Sequence, residues 1–144
     1  MAYTNKTQPT KVSAAAFIQQ HTKGKDQLRI DAEALVALYA KASGSPCVMW
    51  NKIFGFGSYC YLDSTGREHV YLATGFALSS TGFTLYNIMG WAKYADALSL
   101  LGKHKLSGKS CLAIKSVKDI DQRVLLGIIK QSLRDMKTKY AVKR

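Results

Sequence analysis

The sequence predicts an α+β fold, a mostly antiparallel five-stranded sheet flanked by helices at both ends of the chain. Three observations predict it. Apolar residues recur at helical spacing up to about Lys41 and again beyond Trp91, whereas from Cys47 to Met89 the period shortens to strand alternation. Asp63–Gly66 and Ser79–Gly82 are polar, glycine-closed clusters of the length that joins antiparallel neighbours. A chain of 144 residues, 47% of them hydrophobic, can bury a core without staples, and no repeat or boundary divides it.

Taken in order, residues 1–11 read as a polar arm closed by Pro9. Ser13 is a suitable N-cap for a short helix through Gln20, with Phe17 and Ile18 as its apolar contacts, and Gly24 breaks it. A long helix follows, with Asp26 near its start and Leu28, Leu35, Leu38 and Tyr39 on one stripe; Gly44-Ser45-Pro46 ends it. Four strands come next, over Cys47–Phe54, Phe56–Leu62, Glu68–Leu78 and Phe83–Met89. Trp91–Leu101 returns to helical spacing and Gly102 stops it. Ser110–Lys115 is the fifth strand. Asp119 or Asp121 then opens a last helix to about Thr138, with Val124, Leu125, Ile128, Ile129 and Leu133 inward. The domain thus spans 12–138, and 139–144 form a basic tail.

The charge is unevenly placed. Of a net +12, the stretch from Lys103 to Arg144 carries +9, from 12 basic and 3 acidic residues. Such a helix and tail attract nucleic acid and other polyanions without sequence preference; the plainer alternative is a solvated face that keeps the protein soluble. The long uncharged run from Val70 to Ala92 is interrupted by hydroxyl residues and three glycines, so it is not a membrane span. Met1–Lys11 has no apolar stretch of signal-peptide type, and the expectation is a soluble cytoplasmic protein. Cys47, Cys60 and Cys111 are odd in number and widely spaced, which suits small buried hydrophobes rather than a disulfide framework or a zinc site.

Two stretches hold candidate chemistry. Gly102–Ser110 nearly matches a phosphate-binding loop, but its glycines are five residues apart instead of four, and it follows a helix and precedes a strand. Nucleotide hydrolysis is excluded on that ground. A looser anion site from Lys103, His104, Lys105, Lys109 and Ser110 survives, against the alternative of a solvated hairpin-like connection. The second stretch is Met49–Tyr61, where Gly55 and Gly57 mark a bend or a close approach to the backbone. Trp50, Phe56, Tyr59 and Tyr61 around them can line a cleft or simply pack the sheet. His21, His69 and His104 are scattered without ligand spacing, Asp31 and Glu33 cannot share a helix face, and no nucleophile motif occurs. No metal site and no catalytic residue is assigned.

Met49-Trp50, Gly55–Tyr61, Ser64–Glu68, Gly75-Phe76, Leu85-Tyr86, Leu101–Lys105, Gly108–Leu112 and Ile114-Lys115, in that order, resemble the YdhG-like family of conserved domains of unknown function. The likeness covers roughly Phe17 to Met136. It implies a frataxin-like α+β domain with helices packed on one face of an antiparallel sheet, often as a homodimer. It also implies, for some members, iron handling as frataxin-like chaperones. Against iron, the first helices here offer only Asp26, Asp31 and Glu33, and hard cations want clustered oxygen ligands.

The reading that follows is a non-enzymatic binding module, without a resident cofactor, for a small anionic ligand or a partner protein. Trp50, Phe56, Gly57, Tyr59 and Tyr61 would form its apolar wall, and Arg67, Glu68, Lys103, His104, Lys105, Lys109 and Ser110 its polar contacts. The alternatives are an iron chaperone and a polyanion-associated protein using the C-terminal helix and tail.

Overall fold

The computed structural model describes residues 9–143, the side chain of Lys143 excepted. Most of the predicted arm therefore lies outside the described residues, as does Arg144 of the tail. The chain is α+β. It runs α1 (Ala14–His21), α2 (Asp26–Ser43), β1 (Cys47–Trp50), β2 (Ile53–Leu62), β3 (Glu68–Ser79), β4 (Gly82–Asn87), a 3₁₀ turn (Trp91–Tyr94), α3 (Ala95–Leu98), β5 (Lys105–Ser107), β6 (Cys111–Ile114), a 3₁₀ turn (Val117–Asp119), α4 (Gln122–Lys137) and β7 (Ala141–Lys143). All the strand pairs are antiparallel, in the order β1-β2-β3-β4-β6-β5, with β7 beside β2.

Local chemistry sets the helix ends. The Ser13 side chain accepts from the Ala16 amide at 3.1 Å, and Asp121 accepts from Arg123 and Val124 at the start of α4. Gly44 closes α2 in a left-handed conformation, with its amide on the Ala40 carbonyl. Asp31 is buried on α2. It accepts from Gln27, from the Ser116 hydroxyl at 2.8 Å and from the Val117 amide, which ties α2 to the entry of α4.

The described residues contain seven strands where the sequence predicts five. β5 escapes the pattern because Lys105, Leu106 and Ser107 are all exposed on the sheet's edge, so no apolar alternation marks it. β7 is three residues inside the predicted basic tail. The first two predicted strands also divide elsewhere. Their break is the two-residue turn Asn51-Lys52, not Gly55, and Asn51 takes φ 57°, which asparagine tolerates better than most residues. Trp91–Leu101, read as one helix, is a 3₁₀ turn followed by the single turn of α3.

Every helix contributes to one hydrophobic cluster, in which Tyr39, Phe54, Phe56, Phe76, Leu85, Leu112 and Leu125 are fully buried. Phe54 and Phe76 stack at 4.6 Å, and Tyr39 packs on Phe56 and Phe76. A second, smaller cluster is built from strands alone: Trp50, Val70 and Leu72, with Ile53, Cys60 and Tyr71 against them. The helices therefore cover one side of the sheet.

Candidate functional site

Sheet order separates the residues that the sequence grouped. β1 carries Trp50 at one edge and β5 carries Lys105 at the other, so five interstrand steps of about 4.8 Å lie between them. Trp50 is only 4% exposed. Its ring lies so close over Gly55 that a Cβ there would stand 2.5 Å from Trp50 Cδ1. Tyr59 is buried as well, against Tyr61 at 5.5 Å and Tyr140 at 5.0 Å, and burial together with these phenols pushes its hydroxyl up out of the titrating range. Tyr61 stacks on His69. Arg67 and Glu68 are exposed at the β2–β3 turn.

Lys109 and Ser110 act through their backbones: the Lys109 carbonyl accepts from Trp91 N, and the Ser110 carbonyl accepts from Asn87 N and Trp91 Nε1. Gly102–Ser110 holds β5 and its turn into β6, an exposed edge hairpin. A cavity of about 480 Å³ does adjoin it, lined by Lys103, His104, Lys105 and Lys115. Asp119 shares that cavity, however, and His104 Nδ1 is engaged by the Gly102 carbonyl at 2.8 Å. Its cations project from an exposed edge.

Phe56 and Gly57 meet a different set of partners. β2 is flanked by β1 over Ile53–Phe56 and by β7 over Ser58–Cys60, so Gly57 sits where its neighbour changes. Gly57 takes φ 68°, a left-handed value that costs an L-residue about 1–2 kcal/mol. The main core takes Phe54 and Phe56 and then Tyr59 and Tyr61, so the two-residue alternation skips a step at this glycine. A cavity of about 400 Å³ opens there, between the C-terminal ends of α2 and α4. Of its lining residues, Phe56, Ala73, Leu133 and Ser45 are buried and Gly57 and Val142 half-buried, whereas Lys130, Arg134 and Lys137 of α4 are exposed at its rim, near the half-buried Ser43 at the end of α2.

The electrostatics of this cavity are one-sided. Lys130, Arg134 and Lys137 recur at helical spacing along one α4 face, over about 10 Å. Among the described residues, the ion pairs engage none of them and no carboxylate lines the cavity. Arg134 and Lys137 lie in the last turn of α4, where cations also offset the helix dipole, but Lys130 is too far from the end for that role. Ser45 is 4% exposed, and its hydroxyl finds no hydrogen-bond partner. Buried hydroxyls are rarely left so, since an unpaired one costs about 1–3 kcal/mol. Ser43 Oγ accepts from the Ser45 amide and keeps its own proton to donate.

Of the residues the sequence proposes for a ligand site, Phe56 and Gly57 line this cavity; Lys130, Arg134 and Lys137 enter the sequence reading only as polyanion contacts of the C-terminal helix and tail, and Ser43 and Ser45 not at all. The available signal was the recurrence of Lys130, Arg134 and Lys137 on one helical face. Among the described residues no group of three or more His, Cys, Asp or Glu is placed to hold a metal, and no helix is long and apolar enough to cross a membrane. No protein-family model, no curated protein and no solved structure matches the chain.

Proposed function

We propose that this chain is a YdhG-like, frataxin-like domain that serves in the cytoplasm as a non-enzymatic binding module for a small anion, held in the cavity beside Gly57. One observation carries the reading: among the described residues, three cations without ion pairs rim a cavity that has a buried, partnerless Ser45 hydroxyl and no opposing carboxylate. Lys130, Arg134 and Lys137 would hold the charge, and Ser43 and Ser45 would donate to it. The iron-chaperone alternative draws no support from a positively charged rim.

Calorimetric titration with inorganic phosphate and acetate at low ionic strength tests the reading. Arg134→Ala and Lys130→Ala should each weaken binding by about tenfold or more, the worth of one charge-assisted hydrogen bond. The Lys103→Ala/Lys105→Ala double variant should bind as the parent does. The opposite pattern would move the site to the β5 hairpin, and no binding by any form would end the anion reading.

A second reading has its own observation. A groove between α2 and α4, lined by Lys41 and Arg123, carries further positive charge alongside the same helix. It favours an extended polyanion, and a DNA duplex in the same titration, repeated at rising salt, would show it as a steep loss of affinity.

A further inference from the structure

The lining of the Gly57 cavity says more about its ligand than the rim charge does. Below the rim, Phe56, Ala73, Leu133 and Val142 bring no polar side-chain atom to the cavity, and Val142 is the most exposed of the four. The charged lining side chains, Lys130, Arg134 and Lys137, are all exposed at the mouth, while the Ser45 hydroxyl is buried. A site with its charge at the mouth and carbon below is complementary to a ligand divided in the same way.

We infer that the cavity between the C-terminal ends of α2 and α4 takes an amphipathic organic anion, its carboxylate or phosphate head at Arg134 and its short apolar body against Val142 and the edge of Leu133. The inference rests on the anion reading above and adds the apolar body to it. A planar guanidinium at the rim suits either acid head, because both present two oxygens to its fork.

The test is a calorimetric series on the full chain: acetate to octanoate, methyl to hexyl phosphate, and inorganic phosphate alone. Affinity should rise along each alkyl series by two- to fourfold per methylene until the apolar lining is covered, the upper figure being that of full burial. The offset between the two series then identifies the preferred head group. Ala42→Phe, which narrows the cavity from the end of α2, should flatten the alkyl series and leave inorganic phosphate unchanged. Val142→Ala gives a second route should the larger side chain prevent folding, and it should lower the gain per methylene.

If phosphate and acetate bind but the series is flat, the apolar body is wrong and the anion reading stands. If no head group binds at any chain length, both fall together. A slope that neither Arg134→Glu nor Val142→Ala changes would place the alkyl chain elsewhere and overturn the inference.

Discussion

Two hydroxyls among the described residues are buried without a partner, those of Tyr39 and Ser45, and they call for different explanations. Tyr39 lies within the aromatic stack of Phe56 and Phe76, where burial pushes its phenol well above the ordinary range and nothing charged approaches. Its ring is the packing element and its oxygen a cost. Tyr39→Phe should therefore leave stability unchanged or raise it by up to about 1 kcal/mol in a denaturant melt. Ser45 lines the cavity instead, so Ser45→Ala should be equally harmless to the fold but weaken anion binding severalfold. A Tyr39→Phe variant that loses stability would show that the phenol does have a partner. Neither hydroxyl could be identified from sequence, because tyrosine and serine are usually satisfied wherever they sit. Gly55 and Gly57 were legible as places of bending or close approach, and the structure divides the two roles between them: Gly55 accommodates the Trp50 ring, and Gly57 bends the strand.

At the scale of elements, the β2–β3 turn is held by one carboxylate. Asp63 Oδ1 accepts from the Thr65 hydroxyl at 2.6 Å and from the amides of Thr65 and Arg67, while Oδ2 meets His69 Nε2 at 2.7 Å. These bonds, the one to His69 foremost, hold its pKa well below the ordinary carboxylate value of 3.8. A depressed folded-state pKa stabilises the fold above the unfolded value and is lost as pH falls from there toward the folded value. Thermal stability should therefore drop as pH is lowered below about 4. In Asp63→Asn that part of the acid dependence should vanish, with a lower melting temperature at neutral pH. An unchanged acid limb in the variant would mean that other carboxylates carry it. The turn itself was readable from Asp63–Gly66, as were the Ser13 cap, the Gly44 stop and a start of α4 at Asp119 or Asp121, because each depends only on residues close in sequence. β5 was not readable: an edge strand with every side chain in water has no alternation to show.

For the whole molecule the C-terminal residues matter beyond their charge. β7 pairs with β2 just past Gly57, Val142 lines the cavity, and Tyr140 packs on Tyr59. Ending the chain after Thr138 removes all three contacts. The expected cost is about 2 kcal/mol, or roughly 5–10 °C in melting temperature, with loss of anion binding. A basic tail present only for solubility would leave both unchanged when deleted, so the melt and the titration together separate the two roles.

The sequence by itself determined the α+β class, the β2–β3 and β3–β4 turns, the ends of α1 and α2 and most of the inward-facing residues. Each of these follows from short-range chemistry: the period of apolar residues, a capping side chain, a turn-forming cluster. It also located Phe56 and Gly57 in a stretch of unusual backbone. Tertiary structure alone decided what those residues face. Strand order placed Trp50 and the Lys103–Ser110 stretch at opposite edges of the sheet, and the return of Ala141–Lys143 to β2 formed a wall of the cavity. The packing of α4 against α2 brought Lys130, Arg134 and Lys137 over Ser45, 85 or more residues away along the chain. Contacts at such separations depend on how the elements are ordered and packed, and no local periodicity encodes that.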